Sequence, residues 1–238
     1  MMIRSPMATT LALACLAAAF PAAADETEPH DITATGMTAW RAEHGQWVDV
    51  GAVRMAPDNP KLLLTTDGQG VLVNGATGRT SNLFSQLEHG DVRLHVEFMV
   101  PQGSNSGVYL QGRYEVQILD SWRVEKPKHG DCGGIYQRWA NGKGFEGHPP
   151  RINAARPPGA WQTFDIVFRA PRFDADGKKT ANAQFVKVMH NGVIVHENVE
   201  VTGPTRAAAF SDEKPRGPLM LQGDHGPVAY RNLRLETM

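Results

Sequence analysis

The sequence predicts an all-β fold in which two antiparallel sheets pack into a sandwich. Three observations predict it. About a dozen short runs alternate apolar and polar residues, turn signals rich in Gly, Asn and Pro separate them, and no amphipathic helix of normal length interrupts the series. Neighbours in sequence need not be neighbours in space, so the expected connection is a jelly roll rather than a simple meander.

Residues 1–24 read as a secretory leader outside the fold. Arg4 supplies the positive start, Leu11 to Phe20 form an apolar run too short to span a bilayer, and Ala22-Ala23-Ala24 offers a small-residue cleavage site near Ala24. Lipoprotein processing at Cys15 is the alternative, although Ala12-Leu13-Ala14 makes a poor lipobox. The mature chain is therefore expected in the periplasm or secreted. Beyond the leader only Cys132 remains, so no intrachain disulfide is expected and burial alone must hold the fold. A formal charge of −1 over 238 residues gives no electropositive field for nucleic acid or a membrane surface. No other apolar run approaches membrane length, so no membrane insertion is expected.

Residues 25–45 are polar and mixed, an irregular lead-in to a domain covering 46–238. Strands are expected at 46–53, 62–66 and 71–73, the last two parted by a turn at Asp67-Gly68-Gln69-Gly70. Segments 81–86 and 91–100 follow. In the second, Leu94, Val96 and Phe98 alternate with Arg93, His95 and Glu97, the pattern of a half-buried strand. Segments 108–111 and 114–119 come next, then a long irregular region, 121–159, of the kind that carries function. Segment 161–170 turns Phe164, Ile166 and Phe168 inward. Segments 183–190 and 193–201 are joined through Asn191-Gly192, a strong hairpin signal. Segments 219–222 and 228–235 close the chain. There is no internal repeat.

Within 114–119 the alternation puts Glu115 and Gln117 on one face and Tyr114, Val116 and Ile118 on the other. A carboxylate beside an amide on one sheet face suits a carbohydrate cleft; an ordinary wetted face is the rival reading.

At this point the chain resembles a known family, the 3-keto-disaccharide hydrolase domain, from about Trp47 to Glu236. The resemblance is carried by Val-Glu-Phe-Met-Val-Pro (96–101), Asn-Ser-Gly-Val-Tyr-Leu-Gln-Gly-Arg-Tyr-Glu-Val-Gln-Ile-Leu-Asp-Ser (105–121) and Gly-Gly-Ile-Tyr (133–136). Further stretches at 153–173, 190–196 and 221–233 continue it in order. It implies a concanavalin A-like jelly roll acting on glycosides already oxidised at C3, beside a separate glycoside 3-oxidoreductase that makes the ketone. One departure stands out: Gly223 intervenes between Gln222 and Asp224, where family members read Gln-Asp-His-Gly, and it bears on the pose of His225.

Ordinary glycoside hydrolysis uses two carboxyls, about 5–5.5 Å apart for retention or 6.5–9.5 Å for inversion. The alternate positions here read Glu115, Gln117, Leu119, with Asp120 on the opposite parity unless the strand bends. A 3-keto sugar relaxes the requirement, because its ketone acidifies the C2 proton. One base, one acid and donors around the C3 oxygen then suffice. Glu115 and His225 are the expected proton-transfer pair, in either order, since the unperturbed imidazole titrates near neutrality.

Expected substrate-binding residues are Glu97, Asn105, Arg113, Gln117, Asp120, Trp122, Tyr136 and Arg231. Several have a plain alternative. Glu97 shares a face with Arg93 and His95 and suits a charge ladder; Asn105 suits a turn cap; Arg113 suits a local ion pair. Of Trp122, Tyr136 and Trp139 in the long region, one is expected to line the cleft as a stacking platform. No metal site is read from the sequence: Asp174-Ala175-Asp176-Gly177 lacks the later Glu of a calcium loop, and His129, Asp131 and Cys132 lack a completing ligand. No cofactor is predicted, a divalent cation is left open, and the oligomeric state is unknown. A conventional β-glucanase and a non-catalytic glycan-binding module are the rival functions.

Overall fold

The structure, a computed structural model, describes residues 30–41 and 43–238. The expected leader and its Cys15 lie outside the described residues. In the lead-in, a short strand β1 (His30–Asp31) and a 3-10 turn at Gly36–Ala39 replace the expected irregular chain. Ahead of that turn, Asp31 folds back on the chain by accepting from the Thr33 and Ala34 amides.

Strands β2 (Val48–Met55), β3 (Leu63–Val73), β4 (Leu83–His89), β5 (Val92–Met99), β6 (Asn105–Leu110) and β7 (Tyr114–Leu119) follow. The expected break at residues 67–70 is absent, since β3 runs through it. A Cβ on Gly51 would stand 2.6 Å from the Asp67 carbonyl, and the β2–β3 register slips between Val50 and Ala52. The glycines there serve a close bulged crossing of two strands rather than a turn. The long region, expected to be irregular, holds a hairpin of β8 (Arg138–Ala140) and β9 (Lys143–Phe145). Asn141 (φ 51°) and Gly142 (φ 78°) turn it, the same chemistry as Asn191 and Gly192 further on.

Strands β10 (Gln162–Arg169), β11 (Arg172–Phe173), β12 (Lys179–Ala181), β13 (Ala183–His190), β14 (Val193–Val201), β15 (Gly217–Leu221) and β16 (Ala229–Thr237) complete the fold. Among the described residues every strand pairing is antiparallel and there is no α-helix.

The larger sheet runs β14-β13-β10-β5-β16-β3-β2, with β1 beside β16. The smaller runs β4-β15-β6-β7. Strand β5 lies between β10 and β16, and β15 between β4 and β6, so distant segments interleave as a jelly roll requires.

Between the sheets, Leu94, Val96, Phe98, Phe164, Ile166 and Phe168 meet Val108, Leu110, Tyr114, Val116 and Ile118. The ring centres of Phe98 and Phe164 lie 4.6 Å apart in a tilted pair, and those of Tyr114 and Phe168 meet across the layers at 5.4 Å. Each such fully buried side chain contributes roughly 1.5–3 kcal/mol. That burial fixes the strand faces, so alternate residues of β6 and β7 must project from the far side of the smaller sheet.

Candidate active site

The β6–β7 hairpin pairs Asn105 with Leu119, Gly107 with Gln117 and Tyr109 with Glu115. The outward set is therefore Asn105, Gly107, Tyr109, Glu115 and Gln117. Gly107 leaves the floor open: a Cβ there would lie 2.3 Å from Glu115 Oε1 and 3.0 Å from the Tyr109 ring. No larger residue fits while the carboxyl keeps its place.

Two chain segments wall this floor. Residues 133–136 add to the free edge of β7: the Gly133 amide donates to the Gln117 carbonyl (2.8 Å), the Gln117 amide to Gly134 (2.8 Å) and the Tyr136 amide to Glu115 (3.1 Å). His196 Nε2 holds the Gly133 carbonyl at 2.8 Å from below. Burial lowers this imidazole to about 4, so it is neutral and its N–H donates. On the other side Thr205 Oγ1 accepts from the Glu115 amide (3.2 Å) and donates to the Arg113 carbonyl (3.1 Å), which seats Arg206 and Ala207 at the wall. His225 stands at the rim, its Nδ1 2.5 Å from Asp224 Oδ1. The cleft has a volume of about 300 Å³, and Tyr109, Glu115, Gln117, Tyr136, Arg206 and His225 all line it, with Asn105 and Gln222.

Glu115 is 2 % exposed. Desolvation pushes its carboxyl up to about 8, the Asp224 charge adds to the rise, and a hydrogen bond from Tyr109 opposes it. None of the ion pairs among the described residues involves it. Burial and the adjoining carboxyl hold the Tyr109 hydroxyl well above its ordinary range, so it remains a proton donor. Gln117 Nε2 donates to Asn105 Oδ1 at 3.1 Å, fixing the amide across the strands.

The structure thus brings Asn105, Glu115, Gln117, Tyr136 and His225 to one cavity and places the other sequence candidates elsewhere. Glu97 and Arg231 face each other on the outer side of the larger sheet, with Arg231 Nε donating to Glu97 at 2.7 Å and Asn232 at 2.6 Å. Arg113 is buried beneath the hairpin, bound to the Asp212 carbonyl (2.6 Å), the Asp212 carboxylate (2.8 Å) and the Gln111 carbonyl (2.9 Å). Asp120 caps a turn by accepting from the Gly103 and Trp122 amides. Trp122 lies outside the cavity, with the Arg123 guanidinium 5.7 Å over its ring. Asp174 likewise caps a surface turn, accepting from the Asp176 and Lys178 amides. Among the described residues no three His, Cys, Asp or Glu side chains gather at metal-ligand spacing.

Sequence reading missed Tyr109, Arg206 and Gln222. Tyr109 was legible in principle: a hairpin turning at Gln111–Gly112 puts residues 109 and 115 opposite each other, and close cross-strand neighbours interact. Arg206 and Gln222 arrive from distant segments and leave no local signal.

A jelly roll with one desolvated carboxyl, an imidazole and amide donors in a cleft on its smaller sheet defines a glycosyl hydrolase-like domain. The chain belongs to the family described as the 3-keto-alpha-glucoside-1,2-lyase-like domain, whose sequence model matches residues 33–236. A crystal structure of a protein from Parabacteroides distasonis ATCC 8503, provisionally assigned as a glycosyl hydrolase, is 25% identical with a TM-score of 0.65, over 88% of this chain and 84% of that one. Two further proteins of that organism with the same provisional assignment share the fold. One is 17% identical (TM-score 0.58, 89% and 100% covered), the other 13% (TM-score 0.55, 85% and 90% covered). No curated protein matches the chain. No helix among the described residues is long and apolar enough to cross a membrane.

Proposed function

We propose that this protein cleaves 3-keto-glycosides by abstracting the C2 proton, expelling the C1 substituent and adding water to the resulting enone. The observation that carries the reading is Glu115, a buried carboxyl with no ion pair among the described residues, raised to about 8, beside a hydroxyl donor and in a cavity that His225 also lines. A base tuned toward neutrality matches removal of a proton made acidic by the adjacent ketone.

In this scheme Glu115 carboxylate takes the C2 proton, and the C–H electron pair forms the enolate. Arg206 is the donor available to the developing oxyanion, since the Tyr109 hydroxyl is turned to Glu115 and the Gln117 amide to Asn105 Oδ1 and the Ile118 carbonyl. The enolate re-forms the ketone as C1=C2 forms and the C1–O bond breaks, while protonated His225 gives its proton to the leaving oxygen. Nδ1 of His225 is turned to Asp224, which leaves Nε2 for that transfer. Water then adds at C1, losing a proton to His225, and Glu115 returns a proton to C2. The net change is hydrolysis. A conventional two-carboxyl mechanism would have to recruit Asp224, which is bound to His225.

The substrate ketone must come from an enzyme that oxidises a sugar C3 hydroxyl. With the leader expected from the sequence, both activities belong outside the cytoplasm. The test is turnover of a 3-keto-disaccharide beside its unoxidised parent in deuterated water. The expected result is cleavage of the ketone alone, with deuterium at C2. Cleavage of the parent alone, or product without C2 deuterium, overturns the scheme.

A further inference from the structure

The wall that carries Arg206 and Ala207 has a second side. There a groove of about 340 Å³ is lined by the same two residues together with Trp139, Phe145, Thr205 and Phe210. The acid cavity and this groove therefore share a wall, and Thr205 joins both through its bond to the Glu115 amide. The β8–β9 hairpin holds two large aromatic side chains half in solvent, Trp139 at 45% and Phe145 at 37% exposure. Each already carries a guanidinium, Arg206 at 3.9 Å over Trp139 and Arg138 at 5.0 Å over Phe145. These contacts fix the ring orientations before any ligand arrives, and preorganised rings cost less to bind against. Arg206 spans the two spaces, lining the acid cavity while it stacks on Trp139. The hairpin packs at this place because the Arg206 amide donates to the Gln137 carbonyl at 2.8 Å, one residue before β8.

We infer that this groove is the leaving-group subsite, built for a ring that presents a flat C–H or π face to Trp139 and Phe145. The inference rests on the proposed function for which end of the glycoside enters the acid cavity. A pyranose offers such a face through its axial C–H groups and an aryl aglycone through its π system; a methyl group offers neither. The Ser211 hydroxyl and the Arg138 and Arg206 guanidiniums line the same groove, where ring substituents would meet donors.

The test measures binding of three unoxidised probes, a glucosyl disaccharide, phenyl glucoside and methyl glucoside, by calorimetry and by the indole N–H resonance of Trp139. The expected result is a Trp139 shift with one or both ring-bearing probes and none with methyl glucoside. The preference for ring over methyl should fall about tenfold in Trp139→Ala and return in Trp139→Phe, the scale of one aromatic contact. Which ring shows the effect names the source of the leaving group. Equal shifts with all three probes, no ring-dependent shift, or an unchanged preference in Trp139→Ala overturns the inference. Failure of the proposed function shows up separately, as absent turnover of the 3-keto-disaccharide with this binding pattern intact.

Discussion

Glu97 and Glu115 each sit mid-strand on the outer face of their own sheet, yet their surroundings push their acidities in opposite directions. Around Glu97, burial would raise the carboxyl, but the Asn232 amide and the Arg231 guanidinium donate to both oxygens and bring it below its ordinary value. Arg231 is in turn laid 4.0 Å over the Trp161 ring. Glu115 is buried, no cation among the described residues pairs with it, and a single hydroxyl offsets part of the cost. The first arrangement stabilises a charge. The second destabilises one, the setting expected of a carboxyl held for proton transfer.

The sharpest way to break the comparison is the pair Glu115→Gln and Glu97→Gln. Glu115→Gln should lower turnover of the 3-keto-glycoside by about 10²–10⁴-fold, the worth of a general base. It should also make the protein more stable at pH 8. Glu115 is raised from 4.5 to about 8, so the folded chain holds more protons than the unfolded one between those values, and stability falls as pH rises through that window. Thermal melts at pH 5 and pH 8 check the sign: the gain should appear at pH 8 and shrink at pH 5. The rate, kcat/KM, should rise through about pH 8 as the base loses its proton.

Gly107→Ala comes next, with an expected loss of about 10²-fold, because its Cβ would fall on Glu115 Oε1 and move the base by a fraction of the substrate's own size. A near-native melt with lost turnover is the expected signature. Tyr109→Phe removes the hydroxyl that steadies the carboxylate, so the rising limb of the pH–rate profile should move to higher pH, with about a tenfold loss at pH 7. Last, Glu97→Gln should cost about 1 kcal/mol above the carboxylate range with turnover close to wild type. Its sign is opposite: the stability contributed by a lowered carboxyl is present above its unfolded value and lost as pH falls through the folded one.

The same pair shows what a linear sequence does and does not reveal. Alternation places 114–119, 183–190 and 193–201 on their strands, and it correctly divides Glu115 and Gln117 from Tyr114, Val116 and Ile118. Period-two reasoning says which residues share a strand face. It does not say which of two outer faces becomes the cleft, so Glu97 and Arg231 stand as substrate-binding candidates beside Gln117. Arg113 and Asp120 sit beside the acid in sequence, but their partners, Asp212 and Gly103, are supplied by the fold. The β8–β9 hairpin was masked by its short strands, although Asn141-Gly142 carries the same signal as Asn191-Gly192. Glycines at 68 and 70 read as a turn because a bulge uses the same residue type for a different reason.

The strip at 133–136 has a consequence beyond shaping the cavity. Strand β7 ends its sheet, and a bare terminal strand invites a neighbouring molecule to extend the ladder. By taking up the Glu115 and Gln117 backbone groups, the strip occupies those bonding positions itself. The protein thereby carries its own guard against stacking into fibres, at the place where its chemistry demands an open face.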